Sequence, residues 1–519
     1  MNSPNIIFIV LDALRADKIS ATFKDKNLTP NISKILDNSI YFENCISNNT
    51  WTLPSHLSMF TGLYSTQIKL FSKYLHNLSY KLPILTETLK DLGYSTVCYT
   101  ENPWINRFFR LTRGFDHIFR NARKTFEILE NNKAASFSDS ILNRIDFILD
   151  KGLYIKSISR LWRKIKIRLK YFIEMIIKSI SWKNWLFESK NTLDILEKYY
   201  IFLKNNIEKK PIYLFFNIMA SHYPYIPIQK ALDYCEFDIH DFKYIKNFLI
   251  NARRTFFNIN IKSKYLSEKQ TKILKKLYDS SVYYSDMIIG KIFSILSRLK
   301  LLQNTYVIIT SDHGEHLSDQ KEYCFYGHGV DQSAYEPLIR VPLIIYNTNF
   351  KKRIISNQVE LIDLFHTILH LTGISNDRNK YLNPEKSILY QIDNNTTPHY
   401  IYGEHLKVRR EMHMIVNNHR KHIKKDQIPK IIYDLYFLRS SRYKYINFQN
   451  QIEEFYDLVN DPFEQINIVD QNDENYNEMK SYLFNFRKKI KNVDSLQYLI
   501  SEREKNILDK TINKLKINF

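Results

Sequence analysis

The chain has 519 residues, of which 44% are apolar and 25% charged. This composition can bury a sizeable core, which excludes wholesale disorder and collagen-like or fibrous repeats, and the length suits two to four domains at about 150 residues each. Lysine and arginine number 75 against 54 aspartate and glutamate, a net charge of +21, which points to an anionic partner (a phosphate or sulfate ester, an acidic glycan, nucleic acid or a membrane surface) without choosing among them.

The chain opens with MNSPNIIFIVLDALRAD. There is no basic n-region and no small-residue cleavage site, so it does not read as a secretory signal. Nowhere do about 18 apolar residues run together as a membrane helix needs. Cys45, Cys98, Cys235 and Cys324 form no CxxC pair, so neither a disulfide framework nor a thiolate zinc site is indicated. The expected location is the cytoplasm, with peripheral membrane contact as an addition.

Short apolar runs predict buried strands over Ile6 to Leu11, Ser95 to Tyr99, Ile212 to Ile218, Tyr306 to Ile309 and Val341 to Tyr346. Near-continuous apolarity suits strands covered on both faces. Helical patterns lie between them, for instance at 85–93 and 284–300. The alternation predicts an α/β fold with a doubly wound, mostly parallel sheet flanked by helices. The catalytic body is expected over 1–375, interrupted at about 118–199. Within that interruption, residues 151–190 carry 11 Lys/Arg and 2 Glu with apolar residues between them. They read as basic amphipathic helices, either packed on the body with solvated charges or lying on an anionic membrane. A smaller C-terminal α+β region is expected over 376–470, with strands near 399–403, 412–416, 431–438 and 443–447. A charged helical tail follows over 471–519.

Three segments carry ligand-type residues. Asp12 follows the first strand, and alone it would be read as a helix N-cap. Thr52-Leu53-Pro54-Ser55-His56 precedes an apolar helical pattern. It reads either as an ordinary helix start or as a hydroxyl held where backbone N–H groups stabilise an anion. Ser311-Asp312-His313-Gly314 follows the fourth strand. Acid and imidazole directly after a buried strand are costly unless partners or a metal satisfy them; the alternative is a plain polar turn. Ligands in open α/β sheets bind outside the carboxyl ends of strands, where these segments would converge.

Taken together, these segments resemble the sulfatase family of the alkaline phosphatase superfamily. MASHYPYIP, YGHGVDQSAYEPLIRVPLIIY, VELIDLFHTILHLTGI, SRYKYI and EEFYDLVNDPFEQINI are similar to further family stretches, in order, between about residues 4 and 470. The resemblance implies one divalent metal, Mn, Zn, Mg or Ca, held by Asp12, Thr52, Asp312 and His313, with a histidine ligand making Ca the less natural choice. It implies Thr52 as catalytic nucleophile and His222 and His328 as catalytic groups that hold substrate or protonate the leaving oxygen. It also implies Ser55 and His56 as substrate-binding residues. His316 is a weaker candidate, for a second metal.

Departures from the family pattern matter. The nucleophile position carries threonine rather than the Cys or Ser that becomes formylglycine, so no formylglycine is expected. Threonine is typical of relatives that move phosphoryl groups, such as nucleotide pyrophosphatases/phosphodiesterases and phosphoethanolamine transferases. The family's arginine is His56, and its second aspartate is Ala13. The expected activity is a metal-dependent hydrolase or transferase of sulfate or phosphate esters, phosphoryl favoured. Its substrate is an anionic ester, glycan- or lipid-linked. The alternatives are a true sulfatase and a non-catalytic protein that binds an anion or glycan. Specific nucleic-acid binding is not expected, because basic charge alone is common on solvated helices.

Overall fold

A computed structural model describes residues 3–69, 78–120, 192–206, 210–238, 240–241, 266–319, 326–328, 334–375, 381–407, 416–417, 427–449, 452–469 and 473–492. The chain divides into one unit of Met1–Phe119 with Tyr199–Phe519, and a second of Arg120–Lys198. The basic stretch 151–190 lies outside the described residues. So do the end of the tail beyond 492 and, but for Val416, the strand expected near 412–416. Among the described residues no helix is long and apolar enough to cross a membrane.

In the larger unit an eight-stranded sheet forms the body. Its strands in chain order are β1 (Asn5–Leu11), β2 (Ser39–Ile46), β3 (Ser95–Thr100), β4 (His117–Arg120), β5 (Ile212–Ile218), β6 (Thr305–Thr310), β7 (Arg340–Tyr346) and β8 (Arg353–Glu360). Their order across the sheet is β8-β2-β7-β6-β1-β5-β3-β4. The central strand β1 pairs in parallel with β5 on one side and β6 on the other. β7 reverses, running antiparallel to both β6 and β2. The expected doubly wound, mostly parallel α/β sheet is therefore present, with one reversed strand inside it. The reversal leaves β2 parallel to β6, so both end at the same edge.

Alternation along β1 explains the continuous apolar run. Ile6, Phe8 and Val10 join a core shared with Phe60 of α1 (Thr52–Thr61) and with Phe365 and Ile368 of α2 (Leu364–Leu371). Ile7, Ile9 and Leu11 turn to the other face and are equally buried. The pattern expected as a helix over 284–300 belongs to a longer one, Glu268–Arg298. Its true start is a capping box, in which Ser267 Oγ accepts the Gln270 N–H and the Gln270 side chain accepts the Ser267 N–H.

A second, antiparallel sheet follows, made of β9 (Ile401–His405), β10 (Leu435–Arg439), β11 (Tyr443–Phe448) and β12 (Ile452–Asp457) in that order. The strand expected over 431–438 is corrected: residues Gln427–Ile432 are helical and β10 begins at Leu435. The apolar run is broken by Asp434, whose carboxylate accepts the Lys407 N–H and the Gln449 amide, both at 2.7 Å. Both faces of β10 are buried. Leu435 and Phe437 pack with Tyr335 and Ile339, while Tyr436 and Leu438 pack with Met479 and Leu483 of α3 (Glu474–Asn492).

A buried ionic knot ties this sheet to the body. Glu336 accepts Arg439 at 2.9 and 3.1 Å and Lys444 at 3.1 Å. Lys444 Nζ also reaches Glu464 at 2.5 Å, and its side chain is wholly buried. Burial would raise the Glu336 pKa, but Arg439 and Lys444 hold it well below the usual carboxylate range. Removing one partner from such a knot leaves an uncompensated charge, which typically costs about 3–5 kcal/mol. Lys444→Ala is therefore expected to lower the thermal unfolding midpoint strongly, because Glu336 and Glu464 would then face each other. Wild-type melting of Lys444→Ala in a thermal scan would contradict this account.

Candidate active site

The sheet delivers its polar residues to one edge. Leu11 is in register with Ile218, and Val10 with Thr310, so the residues just after β1, β5 and β6 emerge together. Asp12 donates its N–H to Ile218 O at 2.9 Å, which continues the ladder one residue past the strand. The chain then turns sharply. Ala13 has φ of 62°, a left-handed value that costs a residue with a Cβ. The turn is braced from both sides: Ala13 N–H reaches Asp312 Oδ1 at 3.4 Å, and Tyr278 Oη donates to Ala13 O at 2.8 Å. Ser221 Oγ donates to Asp12 O at 2.8 Å, and Ser311 Oγ lies 2.6 Å from both Leu11 O and His313 O. After β6, Gly314 runs against the Pro337 backbone, where a Cβ would meet Pro337 O at 2.1 Å.

Asp12, Asp312 and His313 are each fully buried. His313 Nε2 stands 3.5 Å from Asp12 Oδ1 and 3.5 Å from Asp312 Oδ2. Its other nitrogen, Nδ1, is 2.8 Å from Gly314 O, which fixes the tautomer with the proton on Nδ1 and turns the Nε2 lone pair to the cluster. Thr52 Oγ1 lies 3.3 Å from the same Nε2. The four residues expected to hold a metal are thus brought together.

The helix of Thr52 starts at that residue. Trp51 is the N-cap of α1, no side chain caps it, and Thr52 is its first helical residue. Thr52 turns its hydroxyl to His313 instead. Asp12 is likewise no helix cap; its Oδ2 accepts the Asn102 amide at 2.6 Å.

Charge in the cluster is divided unevenly. Burial would raise Asp12, but neighbouring imidazoles, first of them His222, hold its carboxyl below the ordinary value. Burial, and then the Asp12 charge, push Asp312 well above it. Burial pushes His313 well below its usual value, so the ring is neutral.

A divalent metal fits this arrangement. Asp12 Oδ1 and Asp312 Oδ2 are buried oxygens with no hydrogen-bond partner, and both face His313 Nε2. Such orphaned oxygens are rare in folded proteins unless something else takes them. Among the described residues, Asp12, Asp312 and His313 are the group whose ligand atoms gather closely enough for one ion, all lying within 4.8 Å of one another. His316 is buried against Tyr335 and is not in that group.

The other expected residues surround this centre. His222 Nε2 is 4.0 Å from Asp12 Oδ1, and its ring meets that of His328 at 4.6 Å. His328 lies 4.3 Å from the His313 ring, with Nδ1 held 3.0 Å from Glu315. Ser55 faces Ser47 at 3.3 Å, and Ser47 Oγ donates to Asp312 O at 2.7 Å. His56 is fully buried, with Nδ1–H donating to Thr52 O at 2.9 Å and Nε2 beside the Asn217 amide at 3.3 Å. Burial keeps its pKa below the usual value, so it is uncharged.

Sequence reasoning missed Asn102, Glu315, Ser47 and Tyr278. Asn102 could have been found by the strand-end rule that found Asp12, since it follows β3. Tyr278 had no such signal, because it reaches the turn from the middle of a helix.

The loop before Thr52 is also held from the second sheet. Glu404 N–H donates to Asn48 O at 2.9 Å, and Asn48 Nδ2 donates to Tyr402 O at 2.7 Å. The Thr50 hydroxyl contacts His405 Nδ1.

The sulfatase family profile matches residues 4–374. The chain belongs to the sulfatase family. It is 25% identical over 504 residues to the arylsulfatase of Clostridium perfringens, covering 92% of each chain. It is 24% identical over 361 residues to the iduronate 2-sulfatase of Mus musculus, covering 66% of this chain and 59% of that one. Among solved structures, a protein in complex with its substrate D-glucosamine-2-N,6-O-disulfate has a TM-score of 0.62 at 18% identity, over 95% of this chain and 99% of that one. The phosphonate monoester hydrolase of Agrobacterium radiobacter has a TM-score of 0.63 at 14% identity, over 94% and 96%. At these identities the structural likeness shows the fold alone.

Protein purified without chelator is expected to carry one divalent metal per chain by elemental analysis, and Asp312→Ala to carry almost none. Uptake should weaken as pH falls, because the cation competes with the proton that Asp312 holds. Equal metal content in both proteins would sink the assignment.

Proposed function

We propose that this sulfatase-family protein is a metal-dependent ester hydrolase or transferase that works through a covalent ester on Thr52, with phosphoryl favoured over sulfuryl transfer. The observation that carries the reading is Thr52 itself. Its hydroxyl caps no helix and lies 3.3 Å from His313 Nε2, beside two buried carboxylates.

Asp12, Asp312, His313 and Thr52 would hold the metal. When bound, it supplies Lewis-acid activation of a hydroxyl and neutralises charge on the group being transferred. The remaining roles belong to the chain. Thr52 loses its proton to water, and its Oγ1 bonds to phosphorus or sulfur. The bond to the leaving oxygen breaks, and that oxygen takes a proton from His222 or His328. Water, or a second alcohol, then attacks the threonyl ester, and Thr52 recovers a proton. His56 and Ser55 support the start of α1: His56 through Thr52 O, and Ser55 through Ser47. The substrate is an anionic ester, glycan- or lipid-linked, in keeping with the chain's net charge of +21.

The preference for phosphorus rests on the threonine, which cannot become formylglycine. A second reading, a true sulfatase, is favoured by the match to the arylsulfatase of Clostridium perfringens over 92% of both chains. The two are separated by assaying aryl sulfate, phosphate monoester and phosphodiester substrates with Mn²⁺, Zn²⁺, Mg²⁺ and Ca²⁺. Thr52→Ala is expected to stay folded, losing about 1 kcal/mol for its hydrogen bond to His313, yet to lose turnover by about 10³-fold or more. Mass spectrometry of the resting wild type should find Thr52 unmodified. Equal rates in wild type and Thr52→Ala would end the covalent mechanism.

A further inference from the structure

Ser47 is the first residue past β2 and is fully buried. Its backbone is fixed from the residues just before β7. Three successive carbonyls there, Pro337, Leu338 and Ile339, accept the N–H groups of Glu315, Gly314 and Ser47 at 3.0, 2.7 and 2.7 Å. One short segment therefore holds both Ser47 and the turn that follows Asp312 and His313.

The side chain of Ser47 joins that turn to the chain on either side of Thr52. A serine hydroxyl has one proton. Two buried carbonyls share it, Asp312 O at 2.7 Å and Asn49 O at 2.8 Å. With that proton committed, the Ser55 hydroxyl, 3.3 Å away, is the donor to Ser47 Oγ. Asn49 stands three residues before Thr52 and Ser55 three residues after it. Asn49 is anchored in turn: its Oδ1 accepts the Ser65 hydroxyl at 2.7 Å, and its Nδ2 donates to Ser58 Oγ at 3.0 Å. The loop and α1 are thus fastened to each other, and Ser47 attaches both to the Asp312 turn. The neighbour of Asp312 on that turn is His313, whose Nε2 lies 3.3 Å from Thr52 Oγ1.

We infer that Ser47 is a positioning residue: its hydroxyl sets the separation between the Thr52 hydroxyl and the acid cluster, and without it Thr52 leaves a metal site whose other ligands remain. The inference rests on the reading of Thr52 as the metal-held residue that forms the ester. Ser47 reaches Asp312 through the main-chain carbonyl, so the carboxylate keeps its own donors, the Ala13 and His313 N–H groups. The site should therefore still fill, with the loss falling on Thr52. Supporting hydrogen bonds around metal sites change affinity by about 10–100-fold when removed, and a reacting group displaced by about 1 Å loses about 10²-fold in rate.

The test is a double-mutant cycle on the full-length chain loaded with Co²⁺, a divalent probe whose visible absorption changes with its ligands. Affinity and spectrum are measured for wild type, Ser47→Ala, Thr52→Ala and the double variant. Ser47→Ala is expected to bind Co²⁺ with affinity lowered about tenfold and to show the spectrum of Thr52→Ala. The double variant is expected to bind within about twofold of Thr52→Ala alone, because Ser47 then has no hydroxyl left to position. A thermal scan establishes that each variant is folded. Ser55→Ala, which opens the joint from the helix side, is read in the same way and carries the test should Ser47→Ala not fold. A wild-type spectrum and affinity in Ser47→Ala, or losses that multiply in the double variant, overturn the positioning role and leave the functional reading standing. If Thr52→Ala itself keeps the wild-type spectrum and affinity, or the folded wild type binds no Co²⁺, the place of Thr52 in a metal site falls and the inference falls with it.

Discussion

Two carboxylates buried side by side are the constraint around which this molecule is arranged. Asp12 and Asp312 end adjacent parallel strands in a dry sheet edge, where an unpaired ionised carboxylate costs several kcal/mol. The chain meets this cost with fixed partners. Asn102 takes one oxygen of Asp12, backbone N–H groups of Ala13 and His313 take one of Asp312, and the second oxygen of each is left aimed at His313. The left-handed turn at Ala13 and the close approach at Gly314 follow from the need to bring both acids to that one point. Such a stack of unfavourable local features persists only where the surroundings over-determine it.

Much of this was legible in the sequence because burial on both faces writes itself as unbroken apolar runs. β1, β5 and the core of β6 stand where Ile6 to Leu11, Ile212 to Ile218 and Tyr306 to Ile309 placed them. β2 was invisible for a physical reason. Its sequence SIYFENCI mixes Glu43 and Asn44 into the run. Asn44 bonds Ser356 O across to the neighbouring strand β8, and Glu43 accepts the Ser356 hydroxyl. A polar residue satisfied by a partner more than 300 positions away leaves no local trace. The same limit hid Tyr278. The strand-end rule found Asp12 and Asp312 because it depends on topology rather than on contacts. It would have found Asn102 had it been applied to every strand.

His56 illustrates a different lesson. From the sequence it stands where relatives carry an anion-holding arginine. Its surroundings are instead the edges of Phe60 and Phe215, with Asn217 and the Thr52 carbonyl taking its two nitrogens. Its Nδ1 also stands 3.5 Å from Asp312 Oδ2, so the pocket joins aromatic edges to a carboxylate, and the two hydrogen bonds fix the ring between them.

The stitching of the Asn48–Thr50 loop to Tyr402, Glu404 and His405 has a temporal consequence. Every ligand-type residue of the cluster has been joined to the chain once His313 is made. The loop that presents Thr52 gains its second wall only when β9 has been synthesised, and β9 is itself covered by β10, which needs β11 and α3. The nascent chain therefore carries Asp12, Thr52, Asp312 and His313 before the loop that presents Thr52 is held from both sides. The geometry of the cluster is thus completed only when the last strands arrive, long after its own residues have been joined.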